Sequence, residues 1–118
     1  MAIIGNYKDP GKVLTDSPDN TNIKDFILDQ VLQAQSDWFS GRTLFGRGYV
    51  WDGKPIEKLY ERRYNFYKNK FSDEKVIISK ARRQAGIDLG YILLRVLIDS
   101  KDKFERRKGR TWEYRRIK

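Results

Sequence analysis

The 118-residue sequence contains no cysteine and no histidine. Without cysteine, it can form no disulfide, no thiolate zinc site and no cysteine nucleophile. Without histidine, it lacks the commonest metal ligand and the commonest general base of enzymes. The carboxylate pairs that remain, Glu57 with Glu61 and Asp73 with Glu74, have the spacing of a solvated helix face and of a helix start. We therefore expect a protein that is not an enzyme and that holds no cofactor and no metal ion.

Long hydrophobic runs are also missing from the sequence. A short apolar start at residues 1–4 gives way at once to polar residues, so the apolar segment of about 7 to 15 residues that a secretory signal needs is absent. The longest apolar stretch, residues 89–98, is interrupted by Arg95 and is about half as long as a membrane-spanning helix. We expect an intracellular or virion protein that no signal peptide secretes and that has no membrane partner.

Basic side chains outnumber acidic ones by 25 to 16, and this excess is concentrated towards the C-terminus. Residues 1–53 carry 5 basic and 7 acidic side chains, residues 54–100 carry 11 and 6, and residues 101–118 carry 9 and 3. Such a gradient indicates an acidic partner for the second half of the chain, either nucleic acid or an acidic protein surface. A basic surface that only keeps a small protein soluble is an equally weighted alternative.

A chain of this length has room for one domain. Residues 5–21 are dense in Gly, Pro, Asp and Asn, which favour turns, and they carry few apolar side chains. We therefore predict an extended N-terminal arm at residues 1–21, a helical domain at 22–100 and a basic tail with aromatic anchors at 101–118.

Helical periodicity divides the central segment into three helices. Apolar residues recur at helical spacing in each of them. These positions are Ile23, Ile27, Val31 and Trp38, then Ile56, Tyr60, Tyr64, Tyr67 and Phe71, then Ile77, Ala81 and Ala85. Ser40 and Gly41 end the first helix and Pro55 begins the second. The predicted fold class is mainly α, with a three-helix domain at about 22–39, 55–71 and 73–98.

The predicted core follows from these apolar stripes. It consists of Ile23, Ile27, Val31, Trp38, Ile56, Tyr60, Tyr64, Tyr67, Ile77, Ala81, Leu89, Ile92 and Val96. The cations of the second helix, Arg62 and Arg63 among them, are expected to lie mainly away from its apolar stripe. Between the first two helices, two short aromatic triplets flank a glycine turn, and we predict an ordered loop that leans on the helices.

The end of the third helix, residues 87–98, is apolar nearly all round. A helix of this kind needs covering on several sides. Small residues at Ala81, Ala85, Gly86 and Gly90 would let another backbone approach closely, which offsets the unfavourable helix propensity of glycine. We expect part of this cover to come from a neighbouring molecule, because a chain of this size buries only about two thirds of its unfolded surface.

The C-terminal tail combines basic residues with hydrophobic anchors. A purely electrostatic tail does not need Phe104, Trp112, Tyr114 and Ile117, and the spacing of the last three is closer to that of a strand than of a helix. Aromatic and arginine side chains dominate binding surfaces. The predicted partner-binding or nucleic-acid-binding residues are Arg106, Arg107, Lys108, Arg110, Trp112, Tyr114, Arg115 and Arg116.

Together these features favour a non-enzymatic structural or assembly subunit of a large multi-subunit complex, which docks through its terminal arms. A virus or phage particle, at its connector or tail region, is our specific hypothesis for that complex. The expected partners are protein subunits of the assembly, with a homo-oligomer and nucleic acid left open. The alternative is a basic nucleic-acid-binding accessory protein of ribosomal or nucleoid-like type, which would neutralise phosphates with the tail.

Overall fold

The fold is mainly α, as the sequence predicted, but four helices rather than three occur in the described part of the chain. The computed structural model describes residues 3–4, 20–35, 37–46, 51 and 53–117. The helices are α1 (Thr21–Gln33), α2 (Gly41–Phe45), α3 (Glu57–Lys68) and α4 (Glu74–Asp99). Three strands, β1 (Ile3–Ile4), β2 (Lys103–Lys108) and β3 (Trp112–Ile117), form one sheet.

Helix α4 is the central element against which the other helices pack. Its 26 residues span about 39 Å at ~1.5 Å per residue. Asp73 caps its start, where the side-chain carboxylate accepts a hydrogen bond from the backbone N–H of Lys75 at 2.9 Å. Its apolar end is covered on one side, where Leu89, Leu93 and Leu97 are buried, whereas Ile87 and Tyr91 are exposed.

Helix α3 turns a different face towards α4 from the one that the aromatic stripe predicted. The buried residue of the helix is Leu59, which follows the buried Ile56, whereas Tyr64 is half-buried and Phe71 is exposed. Arg63, expected to point away, lies one turn further along the Leu59 face and forms an ion pair with Asp88 of α4. The expectation for Arg63 was therefore wrong, because an interhelical carboxylate makes its inward position favourable.

Helix α1 is shorter than predicted, because it ends at Gln33 rather than near residue 39. Gln35 adopts a left-handed backbone with φ 55°, which turns the chain out of the helix. Phe39 then pairs with Tyr114 of β3 through two backbone hydrogen bonds of 2.8 and 2.7 Å. Phe39, which local periodicity assigned to the helix, instead takes its backbone hydrogen bonds from a distant strand.

The connection predicted as an ordered loop begins with a short helix. Ser40 and Thr43 form a capping box, in which Thr43 N–H donates to Ser40 Oγ at 3.2 Å and Ser40 N–H donates to Thr43 Oγ1 at 2.7 Å. Gly46, with φ 72°, ends α2. The glycine turn predicted at residues 46–48 begins at this glycine, and its remainder lies outside the described residues, as do residues 49, 50 and 52.

The basic tail forms a β-hairpin that belongs to the core. Strands β2 and β3 are antiparallel, and β1 pairs in parallel with β2, placing Ile3 beside Phe104. Phe104 and Tyr114 lie on the same face of the hairpin and are 1% and 5% exposed. The strand-like spacing of the tail thus corresponds to real strands. Of the predicted N-terminal arm, residues 5–19 lie outside the described residues.

The observed core contains nine of the thirteen predicted residues and adds several from the sheet, the loops and the helices α2 and α3. Ile23, Ile27, Val31, Ile56, Ile77, Ala81, Leu89, Ile92 and Val96 are buried, whereas Trp38, Tyr60, Tyr64 and Tyr67 are only partly buried. The additions include Ile3, Phe39, Phe45, Trp51, Leu59, Phe104 and Tyr114. Over the residues that the structure describes, none of the helices has the length and apolar character needed to cross a membrane.

Candidate partner-binding groove

A groove of about 950 Å³ runs between α4, the α2 segment and the C-terminal hairpin. Its chemistry combines aliphatic, aromatic and arginine side chains. The lining includes Ile87, Leu89, Leu93 and Leu94, the rings of Trp51, Tyr91, Trp112 and Tyr114, and the cations Arg42, Arg82, Arg83 and Arg106. Three elements that are distant in sequence therefore build one surface.

The face of α4 that lines the groove is open to solvent. Gly86 and Gly90 lie one helical turn apart, and a methyl group added at either position would come within 4 Å of no other described part of the molecule beyond the adjoining helix backbone. Ile87 and Tyr91 beside them are 41% and 47% exposed. The small residues of α4 therefore lie on two different faces. Ala81 and Ala85 are buried in the core, whereas the two glycines lie on the open face.

The hairpin supplies the opposite aromatic wall. The ring of Trp112 is 40% exposed, and the Arg106 guanidinium carbon lies 3.5 Å from its centroid. The same guanidinium lies 5.9 Å from the ring of Tyr114. Such stacking holds a flexible arginine in a fixed position next to two rings. Burial raises the pKa of the Tyr114 phenol, and the charge of Arg106 acts in the opposite direction.

All charged side chains that line the described part of the groove are arginines. Arg42 and Arg83 are exposed at its edge. Helix α2 is held close to α4, since a methyl group added at Gly41 would touch Leu89 Cδ2 at 3.8 Å. A concave surface that carries charges of one sign between low-dielectric walls favours a ligand of opposite charge.

On the other face of the hairpin, the arginines pair with glutamates of the same face. Arg107 Nε donates to Glu113 Oε1 at 2.7 Å, and Arg115 Nε donates to Glu105 Oε1 at 2.6 Å. Both guanidinium groups also stack on Trp38, at 4.1 and 4.7 Å from the ring centroid. These arginines are thus neutralised and held by neighbouring side chains.

The eight predicted binding residues therefore divide into separate groups. Arg106, Trp112 and Tyr114 line the groove, and Lys108 Nζ lies beside it, 4.9 Å from the Trp112 ring. Arg107 and Arg115 lie on the opposite face of the hairpin, as the alternation of its strands requires. Arg116 pairs with Asp102 at 3.3 Å. Arg110 is exposed in the turn between the strands.

Sequence reasoning missed the part of the groove that lies outside the tail. Arg82, Gly86 and Gly90 follow one another at intervals of four residues, and Arg83 lies three residues before Gly86, which places them on one side of α4. That spacing was a readable signal, but only the fold shows that the hairpin lies opposite. Arg42 gave no signal, since the helix that presents it was itself not predicted.

Two further findings bear on the chemistry of this surface. Over the described residues, no group of three or more carboxylates is placed to hold a metal ion. Comparisons with protein-family models, with curated proteins and with solved structures find no match to this chain. The arguments about function therefore rest on the side chains themselves.

Proposed function

We propose that this chain is a non-enzymatic subunit of a larger protein assembly, and that the groove is the surface through which it binds a partner protein. The observation that carries this proposal is that exposed aromatic and aliphatic side chains lie beside arginines in one groove. Trp112, Tyr91 and Ile87 are each about two-fifths exposed or more. Exposed apolar residues that cluster in a concave surface are typical of interaction sites.

The groove's shape and chemistry favour an amphipathic helix with acidic flanks as the partner segment. Leu94, Leu89 and Leu93 provide an aliphatic floor, on which apolar side chains at helical spacing would pack. The open positions at Gly86 and Gly90 allow a partner's backbone to come close. Arg42 and Arg83 at the edge would then pair with carboxylates on the flanks of the incoming helix.

Nucleic acid is the less favoured occupant. The hairpin arginines expected to contact phosphates, Arg107, Arg115 and Arg116, already pair with Glu113, Glu105 and Asp102. A nucleic-acid strand would use the arginines and exposed rings of the groove, but its aliphatic floor offers nothing to a phosphodiester backbone. A protein partner would therefore make favourable contacts with more of the groove-lining side chains than nucleic acid would.

Fluorescence anisotropy with two labelled probes tests this proposal. One probe is a synthetic acidic helical peptide with leucines at intervals of three and four residues, and the other is an oligothymidylate strand. We expect the full chain to bind the peptide, and Arg42→Glu/Arg83→Glu to weaken that binding at least about tenfold. The matched control is Lys54→Glu/Lys58→Glu, which changes the net charge equally at exposed lysines outside the groove.

Each outcome has a definite meaning. Peptide binding that the groove variant loses and the lysine control keeps supports the proposal. Equal loss in both variants would show a general charge effect and would contradict it. Tight binding of the oligothymidylate with none of the peptide would replace the assembly role by the nucleic-acid alternative. The virus or phage particle stays a prediction, which the identity of the neighbouring genes tests.

A further inference from the structure

We infer that the groove receives helix α1 of a second copy of this chain, so that copies join head to tail. This inference rests on the proposed function and names the partner of the same groove. It starts from a second unpartnered surface on the molecule. Helix α1 buries Ile23, Ile27 and Val31, and it presents a different stripe to solvent.

The exposed stripe of α1 combines apolar and acidic residues. Asp25, Leu28, Asp29 and Leu32 have the spacing i, i+3, i+4, i+7, which places them on one helix face. Leu28 and Leu32 are 39% and 44% exposed, and both aspartates are exposed. This stripe has the features that the groove's chemistry requires of a partner helix, namely leucines one turn apart and carboxylates beside them.

The two surfaces are complementary in charge and in size. Among the described residues, the charged lining of the groove consists of arginines, and the α1 stripe carries two aspartates. The stripe from Asp25 to Leu32 is about 10 Å long at ~1.5 Å per residue, which is comparable with the length of α4 between Arg83 and Gly90. Packed helices approach to about 8–10 Å when small side chains lie at the contact, and Gly86 and Gly90 provide such a contact.

Head-to-tail contact is possible because the two surfaces do not share a residue. None of the residues of the α1 stripe lines the groove. One copy can therefore offer its stripe to a neighbour while its own groove accepts another. A contact of this heterologous kind closes into a ring or extends into a filament, whereas two copies that filled each other's grooves would stop at a symmetric dimer. The chain would then be a repeating subunit of its assembly.

The experiment blocks each surface separately without changing the charge. Leu28→Gln/Leu32→Gln removes the apolar part of the stripe, and Gly86→Gln/Gly90→Gln fills the groove with side chains that have open space in the folded chain. Light scattering and sedimentation of the full chain are measured over a wide range of concentrations. We expect the unaltered chain to form oligomers that dissociate as salt rises. We expect each variant alone to be monomeric.

Mixing the two variants gives the decisive result. The stripe variant keeps an intact groove, and the groove variant keeps an intact stripe, so an equimolar mixture can form a single contact. We expect a dimer with one copy of each variant and no larger species. Circular dichroism of both variants confirms that they are folded, and an unfolded variant is replaced by the single substitution Leu32→Gln or Gly90→Gln.

Other results would overturn this inference in identifiable ways. If the unaltered chain is monomeric at every concentration, the inferred self-assembly is wrong. Binding of the acidic peptide would still support the proposed function in that case. Oligomers that survive Leu28→Gln/Leu32→Gln but not Gly86→Gln/Gly90→Gln would indicate contact between two grooves. Oligomers that survive both, together with no peptide binding, would contradict the proposed function as well.

Discussion

Arg63 of α3 and Asp88 of α4 form a two-point ion pair between the helices. Arg63 Nε donates to Asp88 Oδ2 at 2.7 Å, and Nη2 donates to Oδ1 at 2.9 Å. The hydrogen bond to Asp88 raises the pKa of Arg63 against the opposing effect of burial. Parallel hydrogen bonds of this kind fix an orientation as well as a distance. The pair therefore sets the rotation of α3 about its axis, with Leu59 towards α4.

Replacing Asp88 by Asn should weaken this interhelical contact. The amide keeps the shape of the carboxylate but loses the charge and one acceptor. Both side chains are partly exposed, at 34% and 22%, so solvent screens the pair and we expect a loss of about 1 kcal/mol in unfolding free energy. Urea denaturation measures this loss. The control is Glu61→Gln on the exposed face of α3, and a loss of the same size there would count against the assigned role of Asp88.

Two glycine-to-alanine substitutions should act in opposite directions. Gly86 lies within α4, and an added methyl group would meet nothing within 4 Å, so Gly86→Ala should raise the unfolding free energy by up to about 1 kcal/mol. Gly53 also has open space, but its φ of 76° disfavours any side chain, so Gly53→Ala should lower it. Thermal melting of both variants measures the two expected changes in stability. Destabilisation by Gly86→Ala would show that the α4 surface is not open in solution.

Removing the ring of Trp112 should affect binding more than stability. The ring is 40% exposed and forms one wall of the groove, where it also supports Arg106. We expect Trp112→Ala to weaken binding of the acidic peptide at least about tenfold, because buried aromatic anchors carry much of an interface's affinity. Trp38→Ala is the matched control, since Trp38 lies against Arg107 and Arg115 on the other face. Equal weakening by both substitutions would argue against the groove as the binding surface.

The C-terminal hairpin should be essential to the fold. Phe104 is 1% exposed and packs edge-to-face against Phe39 at 6.3 Å between ring centroids. We therefore expect Phe104→Ala to cost about 3–5 kcal/mol of unfolding free energy. The exposed Phe66 provides the control, because Phe66→Ala removes a ring of the same size from the surface of α3. A folded, fully stable chain after Phe104→Ala would show that residues 103–117 are not part of the core.

The elements that local sequence predicted are those whose hydrogen bonds are local. Helix α4 begins at Glu74 and ends at Asp99, within one residue of the predicted bounds, since its cap and periodicity are both contained in the segment. The end of α1 was misplaced because the extended state of Phe39 depends on Tyr114, far along the chain. Nothing near Trp38 in the sequence signals that dependence.

The candidate groove was harder to predict than the helices for a related reason. The basic residues and aromatic anchors of the tail drew attention to Arg106 and Trp112, but equally to Arg107 and Arg115. Only the register of the hairpin shows that Glu113 and Glu105 lie opposite these last two residues. Cross-strand pairing thus decides which arginines are neutralised. The groove itself joins three segments, and no local pattern contains their arrangement.

Tyr114 should make the stability of the protein depend on pH in the alkaline range. Burial raises its pKa above the usual value near 10, so the folded chain keeps the phenolic proton at a pH where the unfolded chain loses it. The contribution of Tyr114 to stability is therefore fully present below about pH 10 and is lost as the pH rises through the raised pKa. Tyr64, whose pKa is raised first by its hydrogen bond to Glu74, acts in the same direction.

The substitution Tyr114→Phe separates the contribution of Tyr114 to the pH dependence of stability from that of Tyr64. The variant keeps the buried ring but has no proton to lose, so its unfolding free energy should fall less between neutral pH and the alkaline range than that of the unaltered chain. Urea denaturation at several pH values on both sides of pH 10 measures the difference. Tyr91→Phe serves as the control, because Tyr91 is 47% exposed on the groove face of α4. If Tyr114→Phe and the unaltered chain lose stability in parallel, the phenol of Tyr114 is not buried in solution, and the hairpin cannot be packed on the helices as the structure has it.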